Sequence, residues 1–187
     1  AAIGLGANVK VFDNSPYRLR RLQSNLGQRI FTSTIHPKAL RKALAIADVA
    51  IGALRSEQDR APCVVTEEMV MQMKPKSVII DVSADKGGIF ETTRTTDHKN
   101  PMYKLHDVIH FAVPNIPSRV SRTASYALSN IFNPMLMDIC DYGSYEEYIR
   151  NNCGGKAGTY MLNGTLTNSV LGDKFKLQSK NIDFLLL

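Results

Sequence analysis

Residues 1–15 read AAIGLGANVKVFDNS, and the fold turns on how Gly4-Leu5-Gly6 is understood. The pair looks like the start of a G-x-G-x-x-G phosphate loop, whose glycines let the backbone approach a pyrophosphate. That pattern requires a third glycine, and Val9 stands in its place. It also requires an apolar strand before it and a helix after it. Only three residues precede Gly4, and residues 8–13, NVKVFD, alternate Val9 and Val11 with Lys10 as a strand does. Gly4 and Gly6 therefore read as a helix stop, because glycine takes the left-handed backbone at little cost. A strand ending in Asp13 then occupies the place of the second strand of a dinucleotide-binding unit. There an acid about 20 residues past the glycines accepts hydrogen bonds from ribose hydroxyls. The glycine loop is expected before residue 1, with the chain beginning in the last turn of the helix that the loop opens.

Working outward, strands and helices alternate. Ser15-Pro16 starts a helix that runs to about Leu26 and stops at Gly27. Residues 29–34, RIFTST, form a short strand, and Pro37 opens a helix with Leu40, Ala43 and Leu44 on one face. Residues 48–53, DVAIGA, read as a fully buried strand. Thr66 caps a helix whose first turn carries Glu67 and Glu68, where the helix dipole favours anions. Residues 77–83, SVIIDVS, are nearly all apolar, as parallel strands covered on both faces are. An irregular stretch with Gly87, Gly88 and Pro101 leads to a strand at 107–113, DVIHFAV. Residues 121–140 have a helical pattern. This order predicts an α/β fold, a Rossmann-type doubly wound parallel sheet lacking its first strand and glycine-rich loop in this chain, followed by C-terminal helices. In the strand order 3-2-1-4-5-6 the first strand is central, so the strands at 8–13 and 48–52 are expected not to pair directly.

Composition narrows the function classes. The 187 residues are 44% hydrophobic and 21% charged, ordinary for a globular protein. No apolar run approaches the roughly 18 residues of a membrane span, so no membrane partner is expected. The net charge of +6 comes largely from YRLRRL (17–22) and HPKALRK (36–42). Leu19, Leu22 and Leu26 lie at helical spacing, which puts Arg18, Arg20 and Arg21 on a solvated face. No aromatic residues interleave the charges, so no nucleic acid is expected. Cys63, Cys140 and Cys153 are odd in number and widely spaced, which suggests buried thiols in a reducing compartment, hence a cytoplasmic protein. His106 and His110 are four apart, but a strand begins between them, so they make no helical ligand pair and no metal is expected.

In such sheets ligands bind beyond the carboxyl ends of the strands. Those ends here are Asp13; Gly52-Ala53; Ser83 to Gly88, with Asp85 within; and Pro114-Asn115-Ile116-Pro117. All carry small or polar groups, and they are expected on one rim. Gly87-Gly88 and the paired prolines constrain backbone shape rather than merely solvating it.

Residues 65–103, VTEEMVMQMKPKSVIIDVSADKGGIFETTRTTDHKNPMY, and 108–130, VIHFAVPNIPSRVSRTASYALSN, closely resemble the NAD-binding domain of the alanine dehydrogenases, a family that includes the proton-translocating nicotinamide nucleotide transhydrogenases. GLGANVKVFD (4–13) and ADVAIGAL (47–54) fit the same register, and TYMLNGTLTNSVLGDKF (159–175) fits more weakly. The resemblance implies residues 1–120 as a partial NAD-binding domain. Residues 121–187 would be a long helix and C-terminal segment returning toward a substrate domain that these residues do not contain. It implies NAD as cofactor, L-alanine, pyruvate and ammonia as small-molecule substrates, and a homo-oligomer when full length.

By the same resemblance Asp13 would hold the adenosine ribose, with Arg18 near the adenosine side. Ala53 and Leu54 would line the adenine and ribose slot. Val82 and Asp85 would sit under the nicotinamide end, opposite Val113, Asn115 and Ile116. Asp85's counterpart is catalytic and Asn115's lies close to the substrate. Two departures stand out. Ile35 replaces a small hydroxylated residue that usually faces the adenosine, and the loop at 55–60, RSEQDR, is more charged than the family's glycine-bearing loop. Transhydrogenases typically lack the acid at Asp85, which favours the dehydrogenase. The alternatives are a transhydrogenase NAD(H)-binding component and a non-catalytic nucleotide-binding module. The family's catalytic histidine and substrate lysine belong to the part outside these residues, so His36, His98, His106 and His110 do not stand in for it.

Residues 1–187 contain no glycine loop that would bring a helix N-terminus to a pyrophosphate. The chain by itself is expected to bind NAD weakly or not at all, and a calorimetric titration returning micromolar affinity would contradict this.

Overall fold

A computed structural model describes residues 1–55 and 61–187. The chain divides into two compact units, Ala1–Ile116 and Pro117–Leu187. The first opens with a 3-10 turn, Ile3–Leu5, closed by Gly6 at φ 83° with its N–H on the Ile3 carbonyl. Gly6 is thus the stop, while Gly4 lies inside the turn. There follow β1 (Lys10–Phe12), α1 (Pro16–Leu26), β2 (Phe31–Ser33), α2 (Pro37–Leu44), β3 (Val49–Gly52), α3 (Glu67–Met71), β4 (Val78–Asp81), β5 (Met102–Leu105) and β6 (Val108–Phe111).

Local chemistry sets the helix ends. Ser15 accepts the Arg18 N–H at 3.3 Å, Pro16 takes the first position, where a missing N–H costs nothing, and Gly27 turns left-handed at the far end. Thr66 caps α3 by accepting the Met69 N–H. Leu40 and Leu44 of α2 lie one turn apart and both enter the core. That core gathers Val70, Ile79, Phe90 and Val108, with half-buried Phe12, Ile35 and Leu54 packed on it. Burying each large aliphatic contributes about 1.5–3 kcal/mol, and apolar burial is what ties the small β1–β2 pair to the larger sheet.

β1 and β2 pair in parallel, Lys10 opposite Phe31. The second sheet runs β3-β4-β6-β5, with β3, β4 and β6 parallel. β1 and β3 belong to separate sheets, as expected of strands that do not pair directly. The architecture is the α/β fold anticipated from the alternation.

Three local expectations are corrected. β3 is not covered on both faces: Val49 and Ile51 are 52% and 65% exposed, while Ala50 and Gly52 are buried. An apolar run carries no information on which face a neighbour covers. The three cysteines are exposed, not buried; Cys140, for example, lies on a helix with no buried residue. The irregular stretch contains a further strand, β5, antiparallel to β6. Its turn is His106-Asp107, both at positive φ (52° and 60°). Hairpin turns usually announce themselves with Asn-Gly or Asp-Gly, and this one does not.

The second unit begins with α4 (Ser121–Asp141), followed by α5 (Tyr145–Asn151), α6 (Cys153–Gly158), the hairpin β7 (Met161–Leu162) and β8 (Thr165–Leu166), and α7 (Ser169–Phe175). A small core forms from Tyr148, Ile149, Leu162 and Leu186, with Met135 and Ile139 of α4 against it. The Arg150 guanidinium donates to the Leu186 carbonyl, tying the chain's end to α5. Among the described residues no helix is long and apolar enough to cross a membrane.

His110, on β6, is 1% exposed. Its Nδ1 faces the Val108 carbonyl at 3.2 Å and its Nε2 meets the Thr92 hydroxyl at 2.9 Å. A carbonyl only accepts, so Nδ1 carries the proton and Nε2 accepts from Thr92. Burial, assisted by the nearby His106 and Arg94, holds this imidazole below its ordinary range. The folded state therefore keeps it neutral where the unfolded chain already protonates it. Stability is full above the unfolded value of about 6.5 and declines as pH falls below it. His110→Gln removes this titration while keeping hydrogen-bonding capacity. The urea midpoint of the variant is expected to vary less between about pH 6.5 and pH 5; an unaltered slope would show that His110 is not the group responsible.

Candidate functional site

Parallel pairing brings the carboxyl ends of three strands level. Gly52 faces Asp81 across β3 and β4, and Ile80 faces Phe111 across β4 and β6. The Val82 N–H continues the ladder onto the Gly52 carbonyl at 2.8 Å. Gly52 has no room for a side chain: a Cβ there would lie 2.6 Å from Ile89 and 2.7 Å from Phe90. The end of β3 is thus pressed against the segment that returns from the end of β4.

That segment begins at Asp81, whose side chain has no exposed surface. One carboxylate oxygen accepts the Ser83 N–H at 2.9 Å. The other accepts the Ile89 N–H at 2.9 Å and the Thr93 hydroxyl at 2.6 Å. Between Ser83 and Ile89 the chain makes a 3-10 turn, Ala84–Lys86, with the Lys86 and Gly88 N–H groups both donating to the Ser83 carbonyl. Gly87 and Gly88 follow at φ 94° and 76°, a region that side chains disfavour. At Gly88 a Cβ would also collide with Thr93 at 2.6 Å and the Asp81 carboxylate at 2.8 Å. Ser83 donates its hydroxyl to the Leu54 carbonyl at 2.8 Å, fastening this loop to the chain beyond β3.

Asp85 lies in the 3-10 turn and is exposed. Val82 is 48% exposed, Ala53 is exposed and Leu54 is half-buried. The hydrogen bonds from Val82 and Ser83 bring these four residues into one neighbourhood. Beyond β6, Val113 is buried, Asn115 is exposed with a left-handed backbone at φ 55°, and Ile116 is half-buried. Val113 gives most of its surface to protein atoms.

Asp13 stands at the end of β1, partly buried, accepting the Ser15 N–H at 2.7 Å. Arg18 approaches its other oxygen at 3.8 Å, an exposed pair of little energetic weight. Asp13 and Arg18 are therefore neighbours across the β1–α1 connection, beside the β1–β2 sheet rather than the larger one. Ile35 packs on the core, its N–H held by Asn14 at 3.2 Å, so its side chain serves packing rather than a polar contact. Residues 56–60, most of the charged RSEQDR loop, lie outside the described residues.

Sequence reading overlooked Asp81, Thr93 and the close approach at Gly52. A signal for Asp81 was available: an acid ending an otherwise apolar strand, two residues before a serine, suits a side-chain turn. Thr93 carried no signal of its own. A further brace was also missed. Tyr103 stacks on His110 with ring centres 4.8 Å apart, accepts the Arg94 N–H at 2.8 Å and donates to the Thr92 carbonyl at 2.7 Å. Burial raises the Tyr103 phenol above its ordinary value, so it remains a donor at neutral pH. Among the described residues no three His, Cys, Asp or Glu side chains come together as a metal site requires. The arrangement provides an exposed carboxylate on a tightly held loop, beside the exposed Ala53 and Val82.

Comparison with known proteins gives a consistent result. A family model described as "Alanine dehydrogenase/PNT, C-terminal domain" matches residues 1–169. Alanine dehydrogenase 2 of Staphylococcus aureus (strain USA300) is 38% identical over 183 residues, covering 97% of this chain and 49% of that protein. A solved L-alanine dehydrogenase superposes with a TM-score of 0.84 at 33% identity, over 94% of this chain and 48% of its own. A transhydrogenase from Sinorhizobium meliloti shares the fold, with a TM-score of 0.68 at 23% identity over 89% of this chain and 44% of its own. The chain spans about half the length of the curated relatives it matches.

Proposed function

The chain belongs to the family of the alanine dehydrogenase/PNT C-terminal domain, and from that membership we propose that it is the cofactor-holding part of an NAD-dependent alanine dehydrogenase. The complete enzyme converts L-alanine to pyruvate and ammonia. The observation that carries this reading is the exposed Asp85 carboxylate on a loop locked to the ends of β3 and β4. Residues 1–120 form the cofactor part, and residues 121–187 lead back toward a substrate domain. The complete enzyme is a cytoplasmic homo-oligomer: exposed cysteine thiols suit a reducing compartment, and exposed Ile131 and Met137 on α4 suit a subunit contact.

The rim suits a dinucleotide. Asp13 offers an acceptor at the end of β1, Ala53 leaves little bulk beyond β3, and Val82 exposes apolar surface. When bound, NAD supplies the hydride acceptor. Asp13 accepts from the ribose hydroxyls and repels a 2′-phosphate, with Arg18 beside it. Ala53 and Leu54 would border the adenine and ribose and Val82 and Ile116 the nicotinamide, with Asn115 toward the substrate, while Val113, buried by protein atoms, would support the nicotinamide end from beneath.

Oxidising an amine to a ketone removes a proton from nitrogen and requires a water to attack the resulting imine. Asp85 can accept the proton from that water and stabilise the cationic imine. A positioned acid–base group contributes roughly 10²–10⁴-fold to such steps. Hydride exchange between two nicotinamides needs no such proton acceptor, so an acid at position 85 favours the dehydrogenase over a transhydrogenase component.

Two outcomes are expected in the complete enzyme. Asp13→Ala narrows the preference for NAD over NADP, and steady-state kinetics with unchanged selectivity would remove Asp13 from this role. Asp85→Asn keeps the shape and removes the charge. It lowers kcat at least tenfold, about 1.4 kcal/mol of transition-state stabilisation, with KM for NAD little changed. Turnover near wild type would leave Asp85 a turn residue only.

A further inference from the structure

We propose that Asp81 is a positioning residue: its buried carboxylate clamps both ends of the Ser83–Ile89 loop and so fixes Asp85 at the rim. The proposal rests on the reading of Asp85 given above. Asp81 has no exposed surface, so it touches neither substrate nor cofactor and can act only through what it holds. What it holds is specific. One oxygen takes the N–H where the loop departs, at Ser83. The other takes the N–H where the loop returns, at Ile89, together with the Thr93 hydroxyl. A single side chain therefore closes a loop whose interior carries Asp85.

The glycine pattern fits this role. Gly88 brings loop backbone so close to the carboxylate that a Cβ would lie 2.8 Å from it. Ser83, bound to Asp81 through its N–H, binds the Leu54 carbonyl through its hydroxyl. The Thr95 hydroxyl reaches the Ala84 carbonyl at 3.5 Å from the other side. Asp85 is thus held by neighbours on both flanks, Ser83 and Ile89 through the Asp81 carboxylate and Ala84 through Thr95. The chemistry of the clamp calls for an anion, because its three named partners are all donors. An asparagine in the same place would turn its amide nitrogen toward a donor in either orientation, whereas a carboxylate meets all three with acceptors.

The test is a double-mutant cycle in the complete enzyme, with alanine oxidation as the readout. Displacing a catalytic group by about 1 Å can cost on the order of 10²-fold. Asp81→Asn is accordingly expected to lower kcat roughly tenfold or more, with KM for NAD little changed. Thr93→Val, which keeps the carboxylate and removes one donor, is expected to lower kcat less, with Thr93→Ser restoring it. The deciding measurement repeats Asp81→Asn and Thr93→Val in the Asp85→Asn background. Residues that act through Asp85 lose most of their effect there. Equal fold losses in both backgrounds would overturn the proposal and make Asp81 a general structural residue, while leaving the role of Asp85 intact. If Asp85→Asn by itself has wild-type turnover, the catalytic reading fails, and the positioning role fails with it. Should Asp81→Asn not fold, the Thr93→Val and Thr93→Ser pair decides alone, since both keep the buried charge.

Discussion

Gly52 and Asp81 face each other at the end of the β3–β4 pair, and much of the site follows from the acid of that pair. A fully buried carboxylate costs several kcal/mol unless donors surround it. The Ser83 and Ile89 N–H groups and the Thr93 hydroxyl supply those donors, which obliges the chain to double back on the strand it has just left. Doubling back so tightly requires left-handed backbone at Gly87 and Gly88 and no side chain at Gly52. Asp85 is exposed as a consequence: the charge that is buried at 81 dictates the turn that presents the charge at 85.

The same segment is braced from a second side. Thr92 and Thr93 are adjacent, one bound to His110 of β6 and the other to Asp81 of β4. Tyr103 of β5 stacks on His110 and is bound to both Thr92 and Arg94. β5 therefore pairs with the free side of β6, where an unpaired edge would be a liability, and also stiffens the loop that closes on Asp81. Acid–base chemistry benefits from such rigidity, because a reacting group serves only when its supporting shell holds it in place.

The β1 end differs in kind. Asp13 is supported by short-range bonds, to the Ser15 N–H and the exposed Arg18, and its own N–H continues the β1–β2 ladder at the Ser33 carbonyl. Apolar packing of Phe12 and Ile35 connects it to the core, with no ladder hydrogen bonds to β3. β3 meanwhile presents Val49 and Ile51 to solvent. Isolated apolar residues at a surface are ordinary. Two on one face of a strand leave that face of β3 uncovered among the described residues, unlike parallel strands covered on both faces.

Helix starts at Ser15-Pro16 and Thr66, the stops at Gly6 and Gly27, and the strands at β1, β2, β3, β4 and β6 were legible in the sequence. Each depends on chemistry within a few residues: a cap, a proline ring, a glycine φ, an alternation of apolar side chains. The α/β class followed from their order, and parallel pairing levels the ends of β3, β4 and β6, whereas Asp13 ends a strand of a separate sheet. Tertiary structure alone decided the rest. The hairpin of β5 turns on His106-Asp107, residues with no marked turn signature. The exposure of β3 and of the cysteines depends on which neighbours lie near. The clamp at Asp81 joins residues 2, 8 and 12 positions away, and the Ser83 bond reaches back 29 positions to Leu54. Local sequence pattern encodes backbone preference and amphipathic face, whereas the satisfaction of a buried charge is settled only when distant donors are folded onto it.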